Sequence, residues 1–200
     1  MATPSRVDPE LLDLGRLVAL VDGVFAFSLT LLIIDLRPPV PGGDLLHELR
    51  QLVPRLLIYL FAFVTIANQW LFHHHLFRLV RRTNSRLLVL SFLYLLFLTL
   101  IPVSAAIVGG WPASPLAAAC FSANTLLLCL SACAVWTYLA ANRSLLAAEA
   151  DPGSLRRAAR AWLYVASGMA LALGAGFLHV YAAYLMWVLW PITARWVWVR

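Results

Sequence analysis

Lysine is missing from this chain, and charge of either sign is scarce. Acidic and basic residues together make up 12% of its 200 residues, against about 25% in an average soluble domain, while 62% are hydrophobic. That balance excludes a water-soluble globular domain and leaves an all-α polytopic membrane protein. Every basic residue is arginine, a bias of genome composition rather than of mechanism. The net charge of +6 does not describe a nucleic-acid surface, because no extended polar face exists to carry one. Cysteine is rare and odd in number: Cys120, Cys129 and Cys133 fall in one apolar run, so no disulfide framework is implied. Cys129 and Cys133 share a helix face but have no third and fourth ligand nearby, and read as small packing residues. The first fifteen residues hold three acids, no basic n-region ahead of the apolar run and no cleavage-like site after it, so a cleaved signal peptide is not expected.

What is present is a set of long apolar runs. The first, about Leu17 to Leu36, is closed by Arg37, two prolines, Val40, Pro41 and two glycines, a rigid stop. A second is expected from about Pro54 to His75, a third from about Leu87 to Val108 with Pro102 kinking its far end, and a fourth from about Leu116 to Ala141. A charged segment from Asn142 to Arg160 precedes a fifth, about Ala161 to Phe177. The sixth, about Tyr181 to Val199, is interrupted by Pro191 and Arg195. The whole chain, 1–200, thus reads as one six-helix transmembrane domain. Most arginines flank one side of these crossings, with only Arg37, Arg50 and Arg55 on the other. The positive-inside rule then places both termini in the cytoplasm. Trp111, Trp187, Trp190, Trp196 and Trp198 lie near helix ends and read as interface anchors.

Polar residues inside these runs are the candidate functional groups. Asp22 sits in the first helix about 9 Å along from Arg16, where an ionisable group needs a protein or water partner. Six residues separate the two, about 240° of helix rotation, so each is expected to find its partner on another helix. Counted from the arginines at the end of the second helix, His74 lies about 6 Å and Trp70 about 12 Å inside. Asp22 and the cluster from Asn68 to His75 are therefore at similar depth, and a carboxylate accepting from an imidazole or indole N–H would satisfy both. The triple His73-His74-His75 also raises a metal-binding membrane enzyme as an alternative. Consecutive histidines on a helix diverge by about 100°, so no more than two share an ion without further ligands, and no metal centre is assigned. A non-conducting membrane scaffold is a third reading.

The run RLVALVDGVFAFSLTLLIIDL resembles the first-helix signature of the bacterial transmembrane protein 175 family, prokaryotic relatives of the endolysosomal potassium channel, with its R-x-x-x-F-S-D start and T-L-L. The run WLFHHHLFRLVRR is similar to that family's W-x-x-H-H-x-x-F-R segment. The resemblance implies a potassium-permeable channel rather than an enzyme, without cofactor or nucleic-acid partner. It implies a homotetramer in the inner membrane of a bacterium, embedded in lipid, with four first helices around a central pore. It places Phe27, Leu31 and Ile34 at apolar constrictions and Thr30 at the layer associated with potassium preference. Arg16, Asp22, Trp70, His73 and His74 become the polar network that ties the pore helix to its neighbours. Positions 27, 30, 31 and 34 do form one helical stripe, which periodicity alone assigns to ordinary packing more readily than to a pore. Leu20 and Val21 stand where the family has Phe-Ser, and Phe27 replaces a branched aliphatic. No TVGYG-like loop is present, so the gate expected is a ring of apolar side chains that closes by dewetting. Asp35, Asp44 and Glu48 read either as solvated loop charges or as acids that concentrate cations at the mouth. Gly168, Ala172 and Gly176 form a small-residue stripe for close helix packing within or between subunits.

Overall fold

Apolar runs bounded by good caps become helices here, and the caps fix where most of them start. The structure, a computed structural model, describes residues 14–36, 38 and 42–199; the side chains of Asp35 and of 194–199 are not included. The N-terminal acidic flank, Arg37, Pro39 to Pro41, the Asp35 carboxylate, and the side chains of Arg195, Trp196 and Trp198 therefore lie outside the described residues. The elements are α1 (Leu14–Leu31), α2 (Leu45–Phe77), α3 (Ser85–Thr99), α4 (Ile101–Gly110), α5 (Pro115–Ala141), α6 (Pro152–Leu178) and α7 (Val180–Val199). Asp44 opens α2, Asn84 opens α3 and Ser114 opens α5, each accepting a backbone N–H with its side chain. Such caps satisfy donors that a helix start leaves unpaired.

Taken end to end, α3 and α4 form one pass broken at Leu100. Pro102 has no N–H for the carbonyl of Leu98, and the helix restarts around it. Among the described residues this gives six helical passes. Five are long and apolar enough to cross a membrane, and the apolar part described in α7 is shorter, Val180–Thr193.

Three boundaries differ from the sequence reading. α1 is α-helical only to Leu31 and continues as a tighter 3-10 turn, Leu32–Asp35, closed by the Leu36 N–H donating three residues back to Ile33 O at 3.0 Å. α2 begins at Leu45, nine residues before Pro54, and carries that proline in its interior. Its 33 residues span about 50 Å, some 20 Å more than a bilayer core. Likewise α6 begins at Pro152 rather than near Ala161. Asp151 caps it by accepting from the backbone N–H of Gly153 and Ser154 at 2.8 and 2.9 Å. Those two bonds hold its carboxyl below the usual carboxylate range, with Arg157 adding to the effect.

Burial is concentrated in α5. Of its most apolar stretch 61% is buried, against 11% in α2. α5 packs along α6, and α6 along α7. At Gly168 of α6 a Cβ would overlap the indole of Trp190, which instead stacks on Tyr164 and donates its N–H to the Tyr164 carbonyl. At Gly176 an added Cβ would touch Ala183 at 3.4 Å and Ala118 at 3.8 Å. The small-residue stripe thus serves packing inside one chain. Two of the expected interface anchors are packing residues as well: Trp187 is buried and donates to Ser122 Oγ at 2.9 Å, and Trp190 fills the Gly168 notch. Trp111 stays exposed. At one end of the helices the α2–α3 and α5–α6 connections pair, with Arg81 N–H donating to Leu145 O at 2.8 Å and Ala147 N–H to Leu79 O at 2.9 Å. The two arginine-rich connections therefore lie on the same side, as the charge pattern requires.

Candidate functional site

α1 has two chemically different faces. Leu17, Val21, Phe25, Ser28 and Leu32 are buried, recurring at the three- to four-residue spacing that keeps one helix face inward. Ser28 satisfies its hydroxyl within the helix by donating to Val24 O at 2.8 Å. On the opposite side Leu20, Phe27 and Ile34 are 44%, 61% and 65% exposed. Gly23 lies between them, and a Cβ there would meet nothing within 4 Å. Of the four positions in the expected stripe, Phe27, Thr30 and Ile34 are exposed and Leu31 is half-buried. Ile34 falls in the 3-10 turn, where residues three apart eclipse, so it stands above Leu31 rather than continuing the α-helical drift.

Thr30 uses its hydroxyl in a way that matters for cations. Its O–H donates to Phe27 O at 2.8 Å. The donor is consumed by the helix's own backbone, and what the oxygen offers to its surroundings is acceptor capacity.

Inward, α1 is clamped. The Trp70 indole N–H donates to the Asp22 carboxylate at 2.9 Å across α1 and α2. The ring of His74 stacks on Trp70 at 5.2 Å. Matching depths counted from the two helix ends thus meet in a bond to the indole rather than to an imidazole. A half-buried carboxylate with a charge-assisted bond of this kind is held more firmly than by a neutral pair.

His73 belongs to a different group. It is buried, stacks on Phe77 at 4.2 Å and on Tyr94 at 5.8 Å, and meets Phe25 at 5.8 Å. Tyr94 in turn donates to Gln69 Oε1 at 3.0 Å. This aromatic box ties α1, α2 and α3 together beside the Asp22 clamp. Phe25 carries no polar signal in the sequence, and only the 3.6-residue period of the buried face points to it; Tyr94 is marked only by its hydroxyl in an apolar run. Arg16 does not join either group: it is exposed, and among the described residues it has no ion pair with Asp22 or any other acid. The 240° offset already separates it from Asp22, and no acid of α2 or α3 stands at its level. His75 is exposed as well. Among the described residues no three His, Cys, Asp or Glu side chains converge, so the metal-binding alternative finds no ligand set. Asp44 is exposed and accepts from Leu46 N–H as a helix cap, and Glu48 lies in the first turn of α2.

Comparison with known proteins gives a consistent set of likenesses. Residues 16–102 match the model of the family described as Endosomal/lysosomal potassium channel TMEM175. A potassium channel of Streptomyces collinus is 31% identical over 170 residues, 82% of each chain. A potassium channel of a Chryseobacterium species is 36% identical over 95 residues, which spans about half the length of either protein (48%). In fold, the chain is similar to the crystal structure of a lysosomal potassium-selective channel TMEM175 homolog from Chamaesiphon minutus, with TM-score 0.80, 23% identity, and 91% of this chain and 96% of that one covered.

Proposed function

The chain belongs to the TMEM175 family of multi-pass membrane proteins, and from that premise we propose that it is a potassium-permeable channel, a homotetramer whose pore is lined by α1. The observation that carries this reading is the division of α1 into a clamped inner face and an uncovered outer one. Phe25, Asp22 and Ser28 look into the protomer, while Leu20, Phe27, Thr30 and Ile34 are left without cover from their own chain. Four such faces around an axis would bring four Phe27 rings together as an apolar neck, with Leu31 and Ile34 continuing it. A neck of this kind stops ions by excluding water when narrow, and a small helix rotation reopens it. Next to it, four Thr30 oxygens would present acceptors only, a layer suited to a cation that has shed part of its hydration shell. The Asp22–Trp70 bond and the aromatic box would hold each α1 at a fixed angle to its own protomer. The arginine-rich connections on one side support cytoplasmic termini, and the proposed home is the bacterial inner membrane, with lipid and potassium as partners.

Exposure alone does not separate a pore face from a lipid face, and cross-linking does. In a background with Cys120, Cys129 and Cys133 replaced by Ser, Phe27→Cys is expected to form inter-subunit disulfides under copper-phenanthroline and to block potassium flux in liposomes. Val64→Cys, on an exposed face of α2, is expected to do neither. If Phe27→Cys stays monomeric with unchanged flux, α1 does not line the path. A pH gradient imposed without potassium measures whether protons share it.

A further inference from the structure

Between α2, α5, α6 and α7 lies a cavity of about 460 Å³, within the range of sites for small organic molecules (about 300–1,000 Å³). It is separate from the exposed face of α1, and no step of conduction through that face uses it. Two of its lining groups are unusual. Thr125 Oγ1 and Trp162 Nε1 are buried polar atoms with no hydrogen-bond partner, on residues that are each only 6% exposed. An orphaned N–H or O–H away from water costs about 1–3 kcal/mol, and two beside one cavity point to an occupant that satisfies them.

The lining states what kind of occupant. Among the described residues around the cavity there is no carboxylate and no guanidinium, so a fatty-acid anion or a phosphate headgroup would have no counter-charge at that depth. Apolar side chains form most of the wall. Val64, Val188 and Ile192, all 49–56% exposed, stand at its rim on α2 and α7, uncovered by their own chain. Trp162 can only donate, and Thr125 can donate or accept.

We propose that this cavity is a binding site for a neutral amphiphile: an alkyl chain entering between α2 and α7 and carrying one uncharged oxygen that accepts from Trp162 N–H and pairs with the Thr125 hydroxyl. Either a free long-chain alcohol or the ester carbonyl of a bilayer lipid supplies this chemistry.

The test uses the full chain in nanodiscs and a dodecanol derivative carrying a diazirine. Irradiation is expected to label the α5 and α6 peptides containing Thr125, Cys129 and Val165. At matched mole fractions in the bilayer, unlabelled dodecanol should suppress labelling at least fivefold more effectively than dodecane or dodecanoate. Thr125→Val or Trp162→Phe should weaken the effect of dodecanol about threefold to tenfold and leave that of dodecane unchanged. Stronger suppression by an ester-linked phosphatidylcholine than by its ether-linked analogue identifies the lipid carbonyl as occupant, and equal suppression identifies the free alcohol. Dodecane competing as well as dodecanol, labelling outside these peptides, or dodecanoate competing best would each overturn the proposal. The competitor series on the unsubstituted chain stands even if Trp162→Phe fails to fold.

Discussion

α5 and α2 are both apolar enough to cross a membrane, yet one chain buries 61% of the most apolar stretch of the first and 11% of that of the second. α5 is surrounded by α3, α4, α6 and α7 and carries its polar groups, Ser122, Asn124, Thr125 and Ser131, into the protein. α2 buries one narrow stripe, Ala62, Ile66, Gln69, His73, Leu76 and Phe77, and the most apolar stretch of α1 stands between the two at 28% buried. The α5–α7 half is therefore the more densely packed one, with the notch at Gly168 filled from within by Trp190 and the cavity it shares with α2 left open. The α1–α2 half is held by a few specific contacts and leaves its remaining surface for something outside the protomer. The family model covers residues 16–102, that is α1, α2, α3 and the start of α4, and the match to the Streptomyces relative, 170 residues long, reaches into the packed half as well.

The comparison breaks most decisively at glycines. Gly168→Val would drive a branched side chain into the Trp190 indole, displacing it from its stack on Tyr164 and from the Tyr164 carbonyl. Overpacking of this kind typically costs about 1–3 kcal/mol, and the lost indole bond adds to that. The expected outcome is a fall in thermal unfolding temperature larger than that caused by Trp70→Phe or Asp22→Asn, read by scanning fluorimetry in detergent. A variant as stable as the parent would mean that α7 is not seated on α6 and that the packed half is less packed than its burial suggests.

A smaller effect is expected at the clamp. Trp70→Phe keeps most of the ring but leaves the half-buried Asp22 carboxylate without its donor. Loss of one partner from a charged hydrogen bond costs about 1.5–3 kcal/mol when the site is fully buried, and partial exposure of Asp22 lowers this to roughly 1 kcal/mol. Asp22→Asn retains an acceptor oxygen for the indole and should lose less than half as much. Thermal unfolding of the two variants side by side gives the ratio; equal losses would show that the bond holds α1 only through the charge on Asp22.

The clamp also shows how much of the site is legible in the sequence. Counting rise per residue from two arginine-marked ends puts Asp22 and Trp70 at one depth, because helix pitch and bilayer thickness are fixed quantities. The same reasoning has no access to rotation about each helix, which is why it leaves Arg16 awaiting a partner and sets His73 beside Asp22 instead of in the box with Phe25, Phe77 and Tyr94. Helix starts escape it where the helix leaves the hydrocarbon. Leu45 to Val53 and Pro152 to Arg160 are amphipathic and charged, so an apolar-run criterion stops short of them, although Asp44 and the Asp151-Pro152 pair are ordinary start signals. The notch at Gly168 is legible as a small residue, but its occupant, 22 positions away, is not. Which face of α1 meets other subunits is not encoded in periodicity, since lipid and lumen both leave a helix face bare of its own chain.

That last ambiguity makes Gly23 the most discriminating of the small changes. Gly23 is helical, lies on the exposed stripe between Leu20 and Phe27, and has open space where a Cβ would stand. Within a single protomer Gly23→Ala should therefore stabilise α1 slightly, by about 0.5–1 kcal/mol from helix propensity. If the stripe lines a lumen, the methyl fits there: the unfolding temperature rises a little, the tetramer measured by native mass spectrometry persists, and only flux changes. If a neighbouring helix packs closely against Gly23, the same methyl holds the subunits apart, and the tetramer weakens while the protomer remains stable. If the face meets lipid, neither assembly nor flux responds, and the bare side of α1 is no different in kind from the bare side of α2.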